Sequence, residues 1–254
     1  MRGFFHLLVH EFKMLFYSTT TYVVGVFFLL LMASLFLTIV QEFSQVPQNV
    51  PLMEPFFQVF WMPVLFIVPL LTMRSIAEER RLCTLETMIA TSVSPWAIVC
   101  SKFFSIYCLY MLFWLLTCLF PFILIWVLGA DVVDFRAFDP AVLLGGLSFI
   151  AITGLFYVAL GIFASSLTRS QLTAGILSFS FLFAVVVGGR FLAEVPFLGG
   201  SWVGPIEGSL EYFQTFIHLE DFTRGVVDSR PFFLYVTGTI LSLGVTSLIV
   251  EAKA

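Results

Sequence analysis

The sequence predicts an all-α membrane protein with six transmembrane helices, and three observations carry that expectation. The 254 residues are 60% hydrophobic and 11% charged, with a mean hydropathy of +1.04, against the roughly 25% charged residues usual in a soluble domain. Apolar runs near the ~20 residues that a hydrocarbon core of about 30 Å requires recur along the chain. Between the second and third of them lies its most charge-dense stretch, Arg74 to Lys102, holding Arg74, Glu78, Glu79, Arg80, Arg81, Glu86 and Lys102. No linker and no internal repeat divides residues 1–254, which read as one transmembrane domain.

Taken in order, residues 1–18 interleave Phe4, Phe5, Leu7, Leu8, Phe12 and Phe16 with Arg2, His6, His10, Glu11 and Lys13. That mixture predicts an amphipathic N-terminal helix lying in the membrane interface. The first span is expected over about 21–40; its apolar run is too long for a signal-peptide core and no A-x-A site follows, so it is expected to remain in the protein. After a loop with Glu42, Glu54 and no Lys or Arg, span two covers about 56–73 with Pro63 and Pro69 inside it, tolerated where neighbouring helices re-satisfy the freed carbonyls. Span three covers 103–128, span four 141–167 and span five 171–188, with an acidic loop holding Asp131, Asp134 and Asp139 between three and four. The segment from Gly189 to Arg230 is acidic and punctuated by Gly and Pro; its short apolar pieces, 191–197 and 210–219, predict re-entrant or interfacial outer helices. Span six covers 231–250.

Basic residues assign the sides. With the N-terminus inside, Arg2, Lys13, Arg74, Arg80, Arg81, Lys102, Arg169 and Lys253 face the cytoplasm, against Arg136, Arg190, Arg224 and Arg230 outside. Positive charge is retained inside, so both termini and the stretch from Arg74 are expected to be cytoplasmic, in a multi-pass protein.

Within that stretch Arg74 and Glu78 are four apart and Glu78 and Arg81 three apart, so both pairs share one face of a helix continuing from span two, each contributing about 0.2–0.5 kcal/mol. Thr84 is placed to cap a second short helix, whose Leu85, Met88 and Ile89 form an apolar stripe while Glu86 faces elsewhere. Ser94 and Pro95 then read as N-cap and first position of the helix entering span three. A short cross-helix parallel to the membrane is suited to seat in a groove of a soluble partner. On the residues alone, an ordinary solvated loop accounts for them as well.

The segment from Met73 to Thr84, MRSIAEERRLCT, resembles the pattern M-R-x-I-A-E-E-R-R-x-G-T that follows span two in permeases of ABC-2 type transporters. Glu11 to Gly25 (EFKMLFYSTTTYVVG), the run ALGIFASSLTRSQ ending at Gln171, and His218 to Asp228 (HLEDFTRGVVD) agree in order. The similarity looks closest to the branch of gliding-motility and nitrous-oxide-reductase maturation permeases. The resemblance implies a membrane-spanning permease, not an enzyme, in a bacterial cytoplasmic (inner) membrane, driving export or transmembrane work. It implies a coupling helix between spans two and three, with Arg74, Glu78, Glu79, Arg80, Arg81, Thr84, Leu85, Glu86, Met88 and Ile89 at the interface with a separate ABC ATPase subunit, two copies per complex. ATP and magnesium would be bound by that subunit; this chain carries no G-x-x-x-x-G-K-[ST] loop and no cofactor is expected on it. A second permease chain, identical or related, would complete the pathway in the bilayer. Cys83 and Ser101 stand where the family has glycine, and a left-handed Cys83 would cost about 1 kcal/mol.

Other residues carry weaker expectations. Arg190, Glu194 and Glu207 are candidates for an outer gate, although an interfacial anchor is the simpler reading of Arg190. His6 and His10, four apart, lack a third metal ligand, and Cys83, Cys100, Cys108 and Cys118 show no metal spacing and read as free thiols. No basic patch suits nucleic acid. The pairs Gly161–Ser165, Ala174–Ser178 and Gly238–Ser242 suit close helix packing. Glu78-Glu79 resembles the acidic pair of intramembrane CAAX-type proteases, but Cys83 occupies the arginine position of that motif. A scaffold that recruits a cytoplasmic partner without transport is the alternative from another functional class.

Overall fold

Lipid offers no partner to a backbone amide or carbonyl, so an apolar chain of this kind satisfies its own backbone by coiling. The computed structural model describes residues 2–45, 51–85, 94–128, 139–188, 215–223, 225 and 229–252, and every regular element among them is helical. α1 (Arg2–Tyr17) ends at Ser18, where the chain turns into α2 (Thr19–Gln45). Of α2 only one stripe is buried, Val24, Phe28, Met32, Phe36 and Ile39, while Tyr22, Val23, Phe27 and Leu30 stay exposed, as on a helix with one face on protein and one on lipid.

The expected second span is segmented. α3 (Met53–Gln58) is separated by a turn at Val59 and Phe60 from α4 (Trp61–Thr72). Pro63 therefore falls in the first turn of α4, where a missing N–H costs no intrahelical bond, and Pro69 alone lies inside it. Turns at residues 73–76 lead to α5 (Ala77–Arg81). α6 (Pro95–Thr117) begins eight residues before the expected third span, capped by Ser94, whose side chain accepts a bond from the Ala97 amide at 3.4 Å. It breaks before α7 (Phe120–Leu128) because the Pro121 ring conflicts with a carbonyl four residues back, that of Thr117, the last residue of α6.

α8 (Pro140–Leu167) is the hub. It packs along α9 (Gln171–Val186) and α11 (Ser229–Ala252), meets α10 (Thr215–Thr223) at one end, and touches α3, α4, α5 and α6. Its start is capped by Asp139, whose Oδ1 accepts from the Ala141 amide at 2.8 Å. Three of its glycines, Gly146, Gly154 and Gly161, recur every seven or eight residues and so lie on one face. A Cβ on them would overlap Phe57 of α3, Tyr110 of α6 and Thr72 of α4, respectively. Their bareness lets three elements reach the hub, and the buried Trp114, Tyr110, Tyr157, Phe60 and Phe149 fill the space between.

Among the described residues five segments are long and apolar enough to cross a membrane: Thr19–Gln45, Trp61–Arg81, Pro95–Val127, Pro140–Leu167 and Ser229–Ala252. The expected span five is the 16-residue α9, which rises about 24 Å at 1.5 Å per residue, short of the hydrocarbon thickness. Six full spans are thus not what the described helices supply. Within the segment of expected outer helices, residues 189–214 lie outside the described residues, and α10, nine residues long, is too short to cross.

Candidate functional site

The charge-dense stretch is built around the place where α4 stops. At the end of α4 the Thr72 hydroxyl donates to the Val68 carbonyl at 2.8 Å, and the Thr72 carbonyl accepts from both Ser75 Oγ at 2.7 Å and the Ser75 amide at 3.0 Å, so the turn that ends the helix is closed by backbone and side chain together. Across the break lies Ser165 of α8. Its Oγ accepts from the amides of Ile76 and Ala77 at 3.2 and 3.1 Å and donates to the Met73 carbonyl at 3.4 Å. One hydroxyl from the hub therefore splices the end of α4 to the start of α5. Ile76 and Ala77 are fully buried there.

α5 carries Glu78 and Glu79 in its first turn and Arg80 and Arg81 in its last, the order that suits its dipole. Arg80 Nη1 donates to the Ser166 carbonyl at 2.5 Å, so a guanidinium satisfies an acceptor in the last turn of α8. Glu78 and Arg81 form the expected i,i+3 pair at 3.8 Å, well exposed and therefore contributing little. Arg74 does not pair with Glu78. The turns at residues 73–76 remove it from the face of α5, and its Nη1 donates instead to Thr20 Oγ1 of α2 at 2.6 Å.

α5 ends with Cys83 at φ +55°, the described non-glycine residue with positive φ. This is the left-handed conformation that the glycine of the resembled pattern would adopt without strain. The Thr84 hydroxyl reaches back to the Glu79 carbonyl at 3.2 Å. Leu85 departs from the expected docking stripe: it is 2% exposed and belongs to the chain's own core. Arg81, Leu82, Cys83 and Thr84 are what α5 and its C-terminal turn expose, Leu82 at 59%. Glu86, Met88 and Ile89 lie outside the described residues, as do Arg190, Glu194 and Glu207.

Sequence reasoning missed the strongest electrostatic feature of the site. Lys102, in the second turn of α6, is 4% exposed, and its Nζ donates to Glu79 Oε1 at 2.6 Å and to Glu11 Oε1 of α1 at 2.9 Å. Both carboxylates are largely covered as well. A cation withdrawn from water needs partners in its place, and a lone lysine leading an otherwise apolar helix was the available signal. Arg74, Glu79, Arg80 and Lys102 thus join α1, α2, α5, α6 and α8 at one end of the bundle. Among the described residues these contacts are ion pairs and hydrogen bonds that attach one element to another.

The small-residue pairs also find their places. Gly161 faces Thr72 and Ser165 the splice, Ala174 and Ser178 are fully buried, and Gly238 lies against Phe156. The four cysteines are free. No curated protein matches the chain. A family model described as ABC-2 family transporter protein matches residues 39–206, roughly two thirds of the chain and the whole of α3 to α9. With its apolar helices packed on one hub and its charged break spliced to that hub, the chain belongs to the ABC-2 family of transporter proteins.

Proposed function

We propose that this chain is the membrane permease subunit of an ABC-2 transporter in a bacterial inner membrane, coupled to a separate ATPase subunit beneath the stretch that begins at Arg74. The observation that carries this is the way the break at residues 73–77 is fastened: Ser165 and Arg80 bolt α5 to the ends of two membrane helices, so a push on α5 reaches α4 and α8 without passing through a slack loop. The exposed Arg81, Leu82, Cys83 and Thr84, continued by Glu86, Met88 and Ile89, form the docking surface; Leu85 holds that surface to the bundle from within.

ATP and magnesium belong to the ATPase, present in two copies, and a second permease chain, identical or related, completes the pathway. Both termini are cytoplasmic, as the lysine and arginine count favours. Export, or work on a partner at the outer face as the resemblance to the gliding-motility and nitrous-oxide-reductase maturation branch suggests, follows closure of the ATPase pair. Arg190, Glu194 and Glu207 stand as an outer gate. Copurification from native membranes tests the reading: an ATP-binding subunit should accompany the chain. Consistent absence of one refutes it. Reversal of Arg81 to Glu should abolish permease-dependent stimulation of ATP hydrolysis; loss of binding with no turnover to lose would indicate a recruiting scaffold.

A further inference from the structure

We propose that Glu11, Lys102 and Glu79 pin the amphipathic helix α1 to α5, making α1 a moving part of the unit that receives the ATPase rather than a passive anchor in the interface. The inference rests on the reading that an ATPase docks at α5. Lys102 is a positioning residue in this scheme: it reaches no substrate and acts by holding two other elements together.

The pin is one ammonium between two carboxylates from elements far apart in the chain, 91 residues to Glu11 and 23 to Glu79. Lys102 is nearly sealed from water, so drawing α1 away from α5 would leave a covered carboxylate without its cation, which neither lipid nor solvent replaces at low cost. Glu79 is the more dependent partner, because its Oε2 is buried with no hydrogen-bond partner of its own. On its other side α5 is fixed to α8 by Ser165 and Arg80. α1 packs chiefly on α6 and much less on α2, so its attachment runs through the helix that carries Lys102. The tie from Arg74 to Thr20 fastens the α1–α2 corner to the same break.

Amide exchange of the 2–17 segment tests the proposal in detergent or nanodiscs. Lys102→Met exposes two carboxylates to each other and is prone to misfold, so Glu11→Gln is the decisive variant, with Glu11→Asp as the conservative control. In the chain alone, Glu11→Gln should speed exchange in α1 by about tenfold or more, the effect of weakening a charge-assisted bond that closes the local structure, and Glu11→Asp should restore much of the protection. In the complex with its ATPase, wild-type α1 should change its exchange between the nucleotide-free and the ADP–vanadate-trapped states. Glu11→Gln should lose that response while the ATPase still copurifies. An α1 whose exchange is identical in the two states, or a Glu11→Gln variant that keeps the response, overturns the proposal. Failure of any ATPase to copurify with wild type would instead refute the docking reading, and the exchange of the isolated chain would still decide whether the pin holds α1.

Discussion

Ser165 and Ser178 are both fully buried hydroxyls, and the structure gives them opposite value. Ser165 Oγ serves the amides of Ile76 and Ala77 and the carbonyl of Met73, whereas Ser178 Oγ meets no partner. Ser165→Ala should therefore destabilise by about 2–3 kcal/mol, because buried backbone groups lose their only side-chain partner, while Ser178→Ala should be neutral or slightly stabilising. Thermal unfolding of the two variants in one detergent checks this; equal shifts would contradict the splice. At Cys83, φ +55° predicts that Cys83→Gly gains about 1 kcal/mol by relieving a left-handed side chain, net of the entropy that glycine adds to the unfolded chain. A lower unfolding temperature would contradict it. Legibility at this scale followed sequence distance. Glu78–Arg81 and the Ser94 cap were readable because they lie within one turn, and Cys83 because a pattern position usually held by glycine announces its φ. Glu11–Lys102 was not, since nothing local relates residues 91 positions apart. The expected Arg74–Glu78 pair failed because it assumed a helix unbroken through residues 73–76.

Among the elements, α8 owes its place to what its glycines lack. Gly154→Ala would press a methyl group into the fully buried ring of Tyr110 and should cost about 1–3 kcal/mol by overpacking. Gly175→Ala on α9 meets Met73 only at ordinary contact, 3.7 Å, and should stabilise by roughly 0.5–1 kcal/mol through helix propensity. Opposite shifts in unfolding temperature are the expected result, and shifts of the same sign would show that the α8–α6 contact relaxes freely. The Gly161–Ser165 pair was visible as a packing motif, but the wider set with Gly146 and Gly154 was not, because its partners come from three separate elements. Helix ends were legible where proline set them, at Pro95, and misjudged where proline acted four residues upstream, as Pro121 does on Thr117.

For the molecule as a whole, composition and apolar run length sufficed for an all-helical membrane fold, since both follow from the solvent rather than from tertiary contacts. The number of full crossings did not follow so directly: α9 has the hydropathy of a span without the length. Orientation is open to a direct measurement. Cys83 is exposed at the charged end of the bundle, so with the chain expressed without its ATPase a membrane-impermeant maleimide should label it in inside-out vesicles and spare it in sealed cells. Cys108, although exposed, sits within α6 and should resist such a reagent in both. Labelling of Cys83 from outside the cell would invert the topology.

The Pro121 break between α6 and α7 divides the crossings into two mechanical kinds. α2, α8 and α11 run unbroken for 27, 28 and 24 residues. The other two are jointed, α3–α4–α5 at residues 59–60 and 73–76, and α6–α7 at residues 118–119. At each joint the regular helical ladder gives way to a tighter turn, Phe60 to Phe57, Ser75 to Thr72, and Cys118 and Leu119 to Leu115 and Leu116, so the rod changes direction there while its backbone stays bonded. The bundle is thus three straight beams with two cranked ones among them, and the cranked ones are the two that carry Glu79 and Lys102.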